Sequence, residues 1–112
     1  MVKHGYVPAQ GDVVWLDFNP QQGHDQRGRR PALVISSTEY NDKVGLALFC
    51  PVTSQVKGYP FEVELRDAKV NGVVLSDQVQ SLDWRARRIE FIEKIESDIF
   101  AEVKDRLLLL ID

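Results

Sequence analysis

Apolar and polar positions along the chain predict several short strands followed by one closing helix. Residues 12–18 alternate in part, Val13 and Trp15 against Val14 and Leu16, and have high β-propensity, so they predict a first strand. Asn19-Pro20 ends it. Residues 20–30 are a polar loop of eleven residues, long for a small β-domain and of the kind that often carries function. Residues 31–36, Pro-Ala-Leu-Val-Ile-Ser, predict a second strand. Ser36-Ser37-Thr38-Glu39 offers caps for a short helical turn through Tyr40-Asn41, with a plain turn as the equal alternative. Residues 45–53 are nearly all apolar, as in a strand buried on both faces, and Pro51 implies a bulge or an edge position near its end. Residues 61–65 alternate cleanly as a half-exposed strand. Asn71-Gly72 marks a turn before residues 73–75. Residues 79–82 continue the strand after a bend, Asp83-Trp84-Arg85 makes a tight turn, and residues 88–92 give a further short strand. Ser97 as N-cap and Asp98 in the first turn open a helix over 97–111, with Ile99, Val103, Leu107 and Leu110 falling three to four residues apart. The pattern predicts a mainly β fold, a small antiparallel barrel or curled sheet closed by an amphipathic C-terminal helix.

A chain of 112 residues fits one domain, 1–112, small enough to gain from a partner subunit. Hydrophobic residues make up 44% and charged ones 28%, which is ordinary for a folded protein. The single cysteine, Cys50, lies in an apolar run, has no intrachain partner and reads as a small core residue, which fits a reducing cytoplasm. No signal peptide or membrane-length apolar run is visible, so no membrane role is expected. The net charge of −3 argues against a general nucleic-acid coat. Residues 1–60 carry six basic and five acidic side chains, and residues 61–112 carry eight and twelve. Any nucleic-acid site is therefore local. The candidates are Arg27, Arg29 and Arg30 with Lys57, and the group Arg85, Arg87 and Arg88; the plain alternative for both is solvated loop charge.

Residues 23–36, GHDQRGRRPALVIS, are the most informative stretch. A cationic loop with two glycines feeds directly into an apolar, β-branched strand. Arg30 is the last charged residue before that strand, where the scaffold fixes its backbone. Metal chemistry has little support, because His4 and His24 are far apart in sequence and no Cys/His cluster exists. No phosphate loop, dinucleotide fingerprint or nucleophile elbow is present. No cofactor is expected.

The stretch 23–31 is a close variant of G-x-x-Q-G-x-R-P. Other blocks accompany it in order: Gly11-Asp12-Val13-Val14-Trp15, Pro51-Val52-Thr53-Ser54-Gln55, Lys57-Gly58-Tyr59-Pro60-Phe61, Asp77-Gln78 and Trp84-Arg85-Ala86-Arg87. Together they span nearly the whole chain, and the ordered set resembles the MazF/PemK family of toxin endoribonucleases. The resemblance implies an SH3-like β-barrel of the MazF/CcdB type with short helices, working as a homodimer. It implies the toxin half of a toxin–antitoxin pair, a metal-independent mRNA interferase that cuts single-stranded RNA at particular sequences. Its partner would be an antitoxin whose acidic, flexible C-terminal segment folds onto the toxin. A CcdB-like toxin that binds DNA gyrase without catalysis is the alternative on the same fold, and an RNA-binding module without catalysis is a third reading.

Such cleavage uses the ribose 2′-OH as nucleophile on its own 3′ phosphate, leaving a 2′,3′-cyclic phosphate and a 5′-OH. The protein must align the groups, move two protons and stabilise an electron-rich phosphoryl centre. The resemblance maps catalysis onto Arg30 and Thr53; Asp25 is a third catalytic candidate, with Asp25-Gln26 standing where Glu-Gln is common in the family and the shorter acid reaching less far. It maps RNA binding onto Gln26, Arg27, Arg29, Ser54, Lys57, Gln78 and Arg87. The family's arginine is described as acid/base and stabiliser. A guanidinium with a pKa above about 12 is a poor base at neutral pH, so Arg30 suits stabilisation better. Asp25, His24 and Arg30 all stay open as the proton acceptor. Phe18 and Tyr59 are candidates to stack on bases, or to fill the core. Trp15 and Trp84 read as packing or dimer-interface residues.

Overall fold

The computed structural model describes residues 5–19 and 28–112. Among them, seven strands pair antiparallel: β1 Asp12–Asp17, β2 Arg29–Val34, β3 Leu46–Thr53, β4 Glu62–Glu64, β5 Val73–Leu75, β6 Gln80–Asp83 and β7 Glu90–Lys94. Two α-helices join them, α1 Thr38–Val44 and α2 Ser97–Leu108. The sheet order is β4-β5-β3-β2-β1-β7, with β6 also on β3. Its two ends, β4 and β7, do not pair with each other, so the sheet is open: of the barrel or curled sheet expected, it is the curled sheet. The reason is local. β4 has three residues and packs against α2, while β7 meets the connection between β4 and β5 through a side chain. The Glu93 carboxylate of β7 accepts the N–H groups of Lys69 at 2.9 Å and Val70 at 3.1 Å.

β1, β2 and β3 carry apolar side chains on both faces. One face, with Val13, Leu33, Cys50 and Val52, packs against Val63, Val74 and α2 through Ile99 and Val103. The other face, with Val14, Leu16, Ala32, Val34 and Phe49, packs against Trp84. Near-complete burial on two sides explains why these strands read as continuous apolar runs. Cys50 is fully buried, and burial, with Asp77 adding to it, pushes its thiol up to about 12. It is a core residue, as composition indicated.

Several boundaries differ from expectation. The short helical turn is a complete helix, α1: Ser37 caps it, accepting the Tyr40 N–H at 3.3 Å, and Gly45 ends it at φ 80°. Pro51 belongs to a central strand rather than to an edge or a bulge. It pairs with Ala32 on one side. On the other side it falls between the two partners of β3, after β6 ends at Phe49 and before β5 begins at Val52. A missing N–H is tolerated at such a junction. Residues 80–83 leave the line of β5 and form a separate strand on β3. The final helix is capped by Glu96, without a side-chain bond, so Ser97 is its first residue rather than its N-cap; it ends at Leu108, short of residue 111. Trp84 is packing, not interface: it is 4% exposed and its indole N–H donates to the Asn41 carbonyl at 3.1 Å. Trp15 is 38% exposed. No helix among the described residues is long and apolar enough to cross a membrane.

Candidate active site

Arg30 sits near the start of β2, opposite Leu16 of β1. The β2–β3 ladder runs from Val34↔Phe49 to Ala32↔Pro51. The same register carried two residues further sets Arg30 across from Thr53, the last residue of β3. Both line a groove of about 220 Å³ with Gln55, Lys57, Tyr59, Glu62, Leu75 and Gln78. Residues far apart in sequence thus meet because three antiparallel strands end at the same level.

The Arg30 guanidinium lies over the Phe18 ring, 5.6 Å from its centroid. A flat cation on an aromatic face keeps its edge, with paired N–H groups, available to an anion. The Thr53 hydroxyl oxygen accepts the Gln55 N–H at 3.1 Å. That bond fills an acceptor position and leaves the hydroxyl proton to donate. The Tyr59 hydroxyl donates to Asp77 at 2.8 Å, and this bond, with some burial and the Asp77 charge, raises the phenol's pKa. Lys57 and Gly58 donate their N–H groups to the two Glu62 oxygens at 2.9 and 2.8 Å. The groove therefore offers a fixed guanidinium, an ammonium and a hydroxyl donor on one concave surface.

The residues expected to form the site divide into groups. Arg30, Thr53, Lys57 and Gln78 meet in the groove. Asp25, Gln26 and Arg27, with His24, lie outside the described residues. Ser54 faces away. Thr53, Gln55 and Lys57 line the groove, whereas Ser54 and Val56 line a separate cavity with Glu64 and Asn71. Gln55 takes the place expected for Ser54, and a period of two read through the motif would have found it. Glu62 and Leu75 were not anticipated; nothing marks them in an ordinary alternating strand and a three-residue apolar run.

Arg29 and Arg87, expected as RNA contacts, each donate to groups inside the protein, while the buried Arg87 Nε has no partner among the described residues. Arg29 pairs with Asp17 at 3.3 Å and Glu90 at 3.1 Å and donates to the Arg88 carbonyl at 2.8 Å. Its side chain is 16% exposed. Arg87 donates to the carbonyls of Asp17 at 3.1 Å and Phe18 at 2.9 Å. Arg88 grips Asp17 through two bonds, at 2.6 and 2.9 Å. The Arg88 hydrogen bond, helped by Arg29 and against the cost of burial, holds the Asp17 carboxyl below the usual carboxylate range. Arg85 lies over Trp84 at 4.5 Å and donates to the Asp42 carbonyl. The second basic cluster is thus largely a structural network that pins the end of β1, and with it Phe18 beneath Arg30.

A groove with paired donors, a hydroxyl and no enclosed hydrophobic cavity suits a phosphodiester. The fold and groove define a small, mainly β protein with a cationic groove at its strand ends. Comparison with known proteins narrows the class. Residues 9–111 match the family model described as PemK-like, MazF-like toxin of type II toxin–antitoxin system. The chain is 54% identical over 82 residues to the endoribonuclease toxin MazF of Escherichia coli (strain K12), covering 73% of this chain and 74% of that protein. Among solved structures, MazF (Form-I) from Deinococcus radiodurans superposes with a TM-score of 0.86 at 54% identity, covering 96% of this chain and 98% of that one. MazE-MazF (Form-II) from the same organism gives 0.84 at 49% identity, over 96% and 97%. The chain belongs to the MazF/PemK family of toxins of type II toxin–antitoxin systems.

Proposed function

We propose that this endoribonuclease toxin cleaves single-stranded RNA in the groove between Arg30 and Thr53, without a metal ion. The observation that carries the reading is the meeting of a guanidinium and a hydroxyl donor at adjacent strand ends in one groove. A scissile phosphate placed between them receives paired N–H bonds from Arg30 and one O–H bond from Thr53. The attached ribose 2′-OH attacks the phosphorus and the 5′-oxygen leaves, giving a 2′,3′-cyclic phosphate and a 5′-OH. Charge on the non-bridging oxygens rises along this path, so fixed donors stabilise the transition state more than the bound RNA. Lys57 adds a positive charge to hold the backbone, and Gln78 offers an amide to a base edge. Asp25 is the first choice to take the 2′-OH proton and His24 the second, both from the loop preceding β2 in sequence.

The partner is an antitoxin whose acidic, flexible C-terminal segment covers the cationic groove. That reading is supported by the net positive lining contributed by Arg30 and Lys57, and by relatives solved as MazE-MazF. The curled open sheet is taken as a variant of the SH3-like barrel of the MazF/CcdB type, and the functional unit as a homodimer in the cytoplasm. Gyrase poisoning is not favoured, because the curated relatives are named endoribonucleases.

The test is cleavage of a single-stranded RNA in excess EDTA, followed by mapping of the ends. Cyclic phosphate and 5′-OH termini are expected. A 2′-deoxy substitution at the cut nucleotide should block cleavage while binding persists. Cleavage of the deoxy substrate, or complete dependence on a divalent ion in a protein that stays folded, contradicts the mechanism.

A further inference from the structure

The segment between β3 and β4 forms one wall of the groove, and it has no regular secondary structure of its own. Its shape comes from a series of bonds. Near one end the Gln55 N–H is held by Thr53. At the other end the Pro60 carbonyl accepts from Arg106 of α2 at 2.8 Å, and the Phe61 carbonyl accepts from the Ser76 hydroxyl at 2.6 Å. The middle, which carries Lys57, is fixed by Glu62. Its two carboxylate oxygens accept the successive N–H groups of Lys57 and Gly58. Gly58, the second of the two donors, adopts φ 84°, a left-handed conformation that favours glycine.

A carboxylate beside Arg30 and Lys57 is otherwise hard to explain in a groove for a polyanion. Taken only as a charge, it repels phosphate and weakens RNA binding. The nest resolves this. Both oxygens are engaged by backbone donors, so Glu62 acts on the wall and not on the substrate. We propose that Glu62 is a positioning residue for RNA binding, which holds the 54–60 wall in register so that Lys57 and Tyr59 present to the RNA. The proposal rests on the groove being the RNA site.

The two roles predict opposite signs. If Glu62 were a plain acidic wall residue, Glu62→Ala would tighten RNA binding. If it positions the wall, Glu62→Ala loosens it: KM should rise about tenfold or more, the scale of losing charge-assisted hydrogen bonds. The rate at saturating RNA should stay within about twofold, because the partners of the phosphoryl centre, Arg30 and Thr53, are anchored in β2 and β3. Glu62→Gln keeps one oxygen acceptor and should fall between, which also guards against a misfolded alanine variant.

The experiment is steady-state cleavage of one single-stranded RNA by the full chain and the two variants, alongside amide hydrogen exchange. Faster exchange at Lys57 and Gly58 together with raised KM supports the proposal. An unchanged or lowered KM, unaltered exchange at those amides, or equal changes in KM and kcat overturns it. Arg30→Ala run in parallel separates this from the larger reading. If Arg30→Ala cuts bound RNA at the wild-type rate, the groove assignment has failed; if only the Glu62 variants behave like wild type, the positioning role alone has failed.

Discussion

Thr53 and Arg30 are useful to the site because of what their neighbours already occupy. The Thr53 oxygen is held by the Gln55 N–H, and the Arg30 face is held by Phe18. Thr53→Ser should therefore keep most activity, while Thr53→Val, of similar shape, should lose about 10²-fold in single-turnover rate, as for a missing transition-state donor. Arg30→Lys keeps a charge and loses the planar fork, so RNA should remain bound with a rate reduced on the same scale. Rescue of activity by lysine would make Arg30 a point charge rather than a clamp. Asp17 contributes at a different pH. Its carboxyl titrates below its unfolded value of about 4, so its stabilisation is complete above that pH and fades as pH falls through the lower folded value. The denaturation midpoints of wild type and Asp17→Asn should differ most near neutrality and converge in acid; a constant gap would show that the ion pairs with Arg88 and Arg29 are not the source.

At the scale of the element, the apolar runs of β1, β2 and β3 were legible in the sequence because they are buried on both sides. The alternation of β4 was legible because only one of its faces is covered. The assembly of the groove was not, since it depends on the register that brings the ends of β2 and β3 to one level. The motif around Thr53 named Ser54 where Gln55 lines the groove instead. Sequence also could not show that Asp17, Glu90 and two carbonyls fold back to meet Arg29 and Arg87. This gives a direct check. Arg87→Ala should lower the unfolding midpoint while leaving the slope of log K against log[salt] for RNA binding unchanged. A slope reduced by about one would return Arg87 to the phosphate contacts. Gly72 is a second device at this scale. Its φ is 135°, and a Cβ there would lie 2.3 Å from the Thr53 carbonyl oxygen, so close approach of β5 to the end of β3 requires glycine. Gly72→Ala should cost more than about 1 kcal/mol and lower cleavage along with stability; full activity at unchanged melting temperature would remove Gly72 from the support of Thr53.

The molecule as a whole is an open sheet with a groove at its strand ends and apolar side chains left exposed just beyond α2, where Leu109 is 65% and Ile111 72% exposed. A homodimer is the expected assembly, and light scattering at micromolar concentration checks it; a fully active monomer would take the subunit interface out of the mechanism. The antitoxin and the RNA are expected to compete, because both are acidic and the groove's cations are few. Beneath these expectations lies one claim, that Arg30 acts on the phosphoryl centre rather than on binding. The most direct measurement is a single-turnover assay with enzyme in excess over a labelled single-stranded RNA, in EDTA, comparing wild type with Arg30→Ala while binding is followed on the same mixtures. The account predicts that Arg30→Ala binds RNA within about tenfold of wild type yet cuts it about 10²–10³-fold more slowly. Bound RNA cut at the wild-type rate by Arg30→Ala would contradict it.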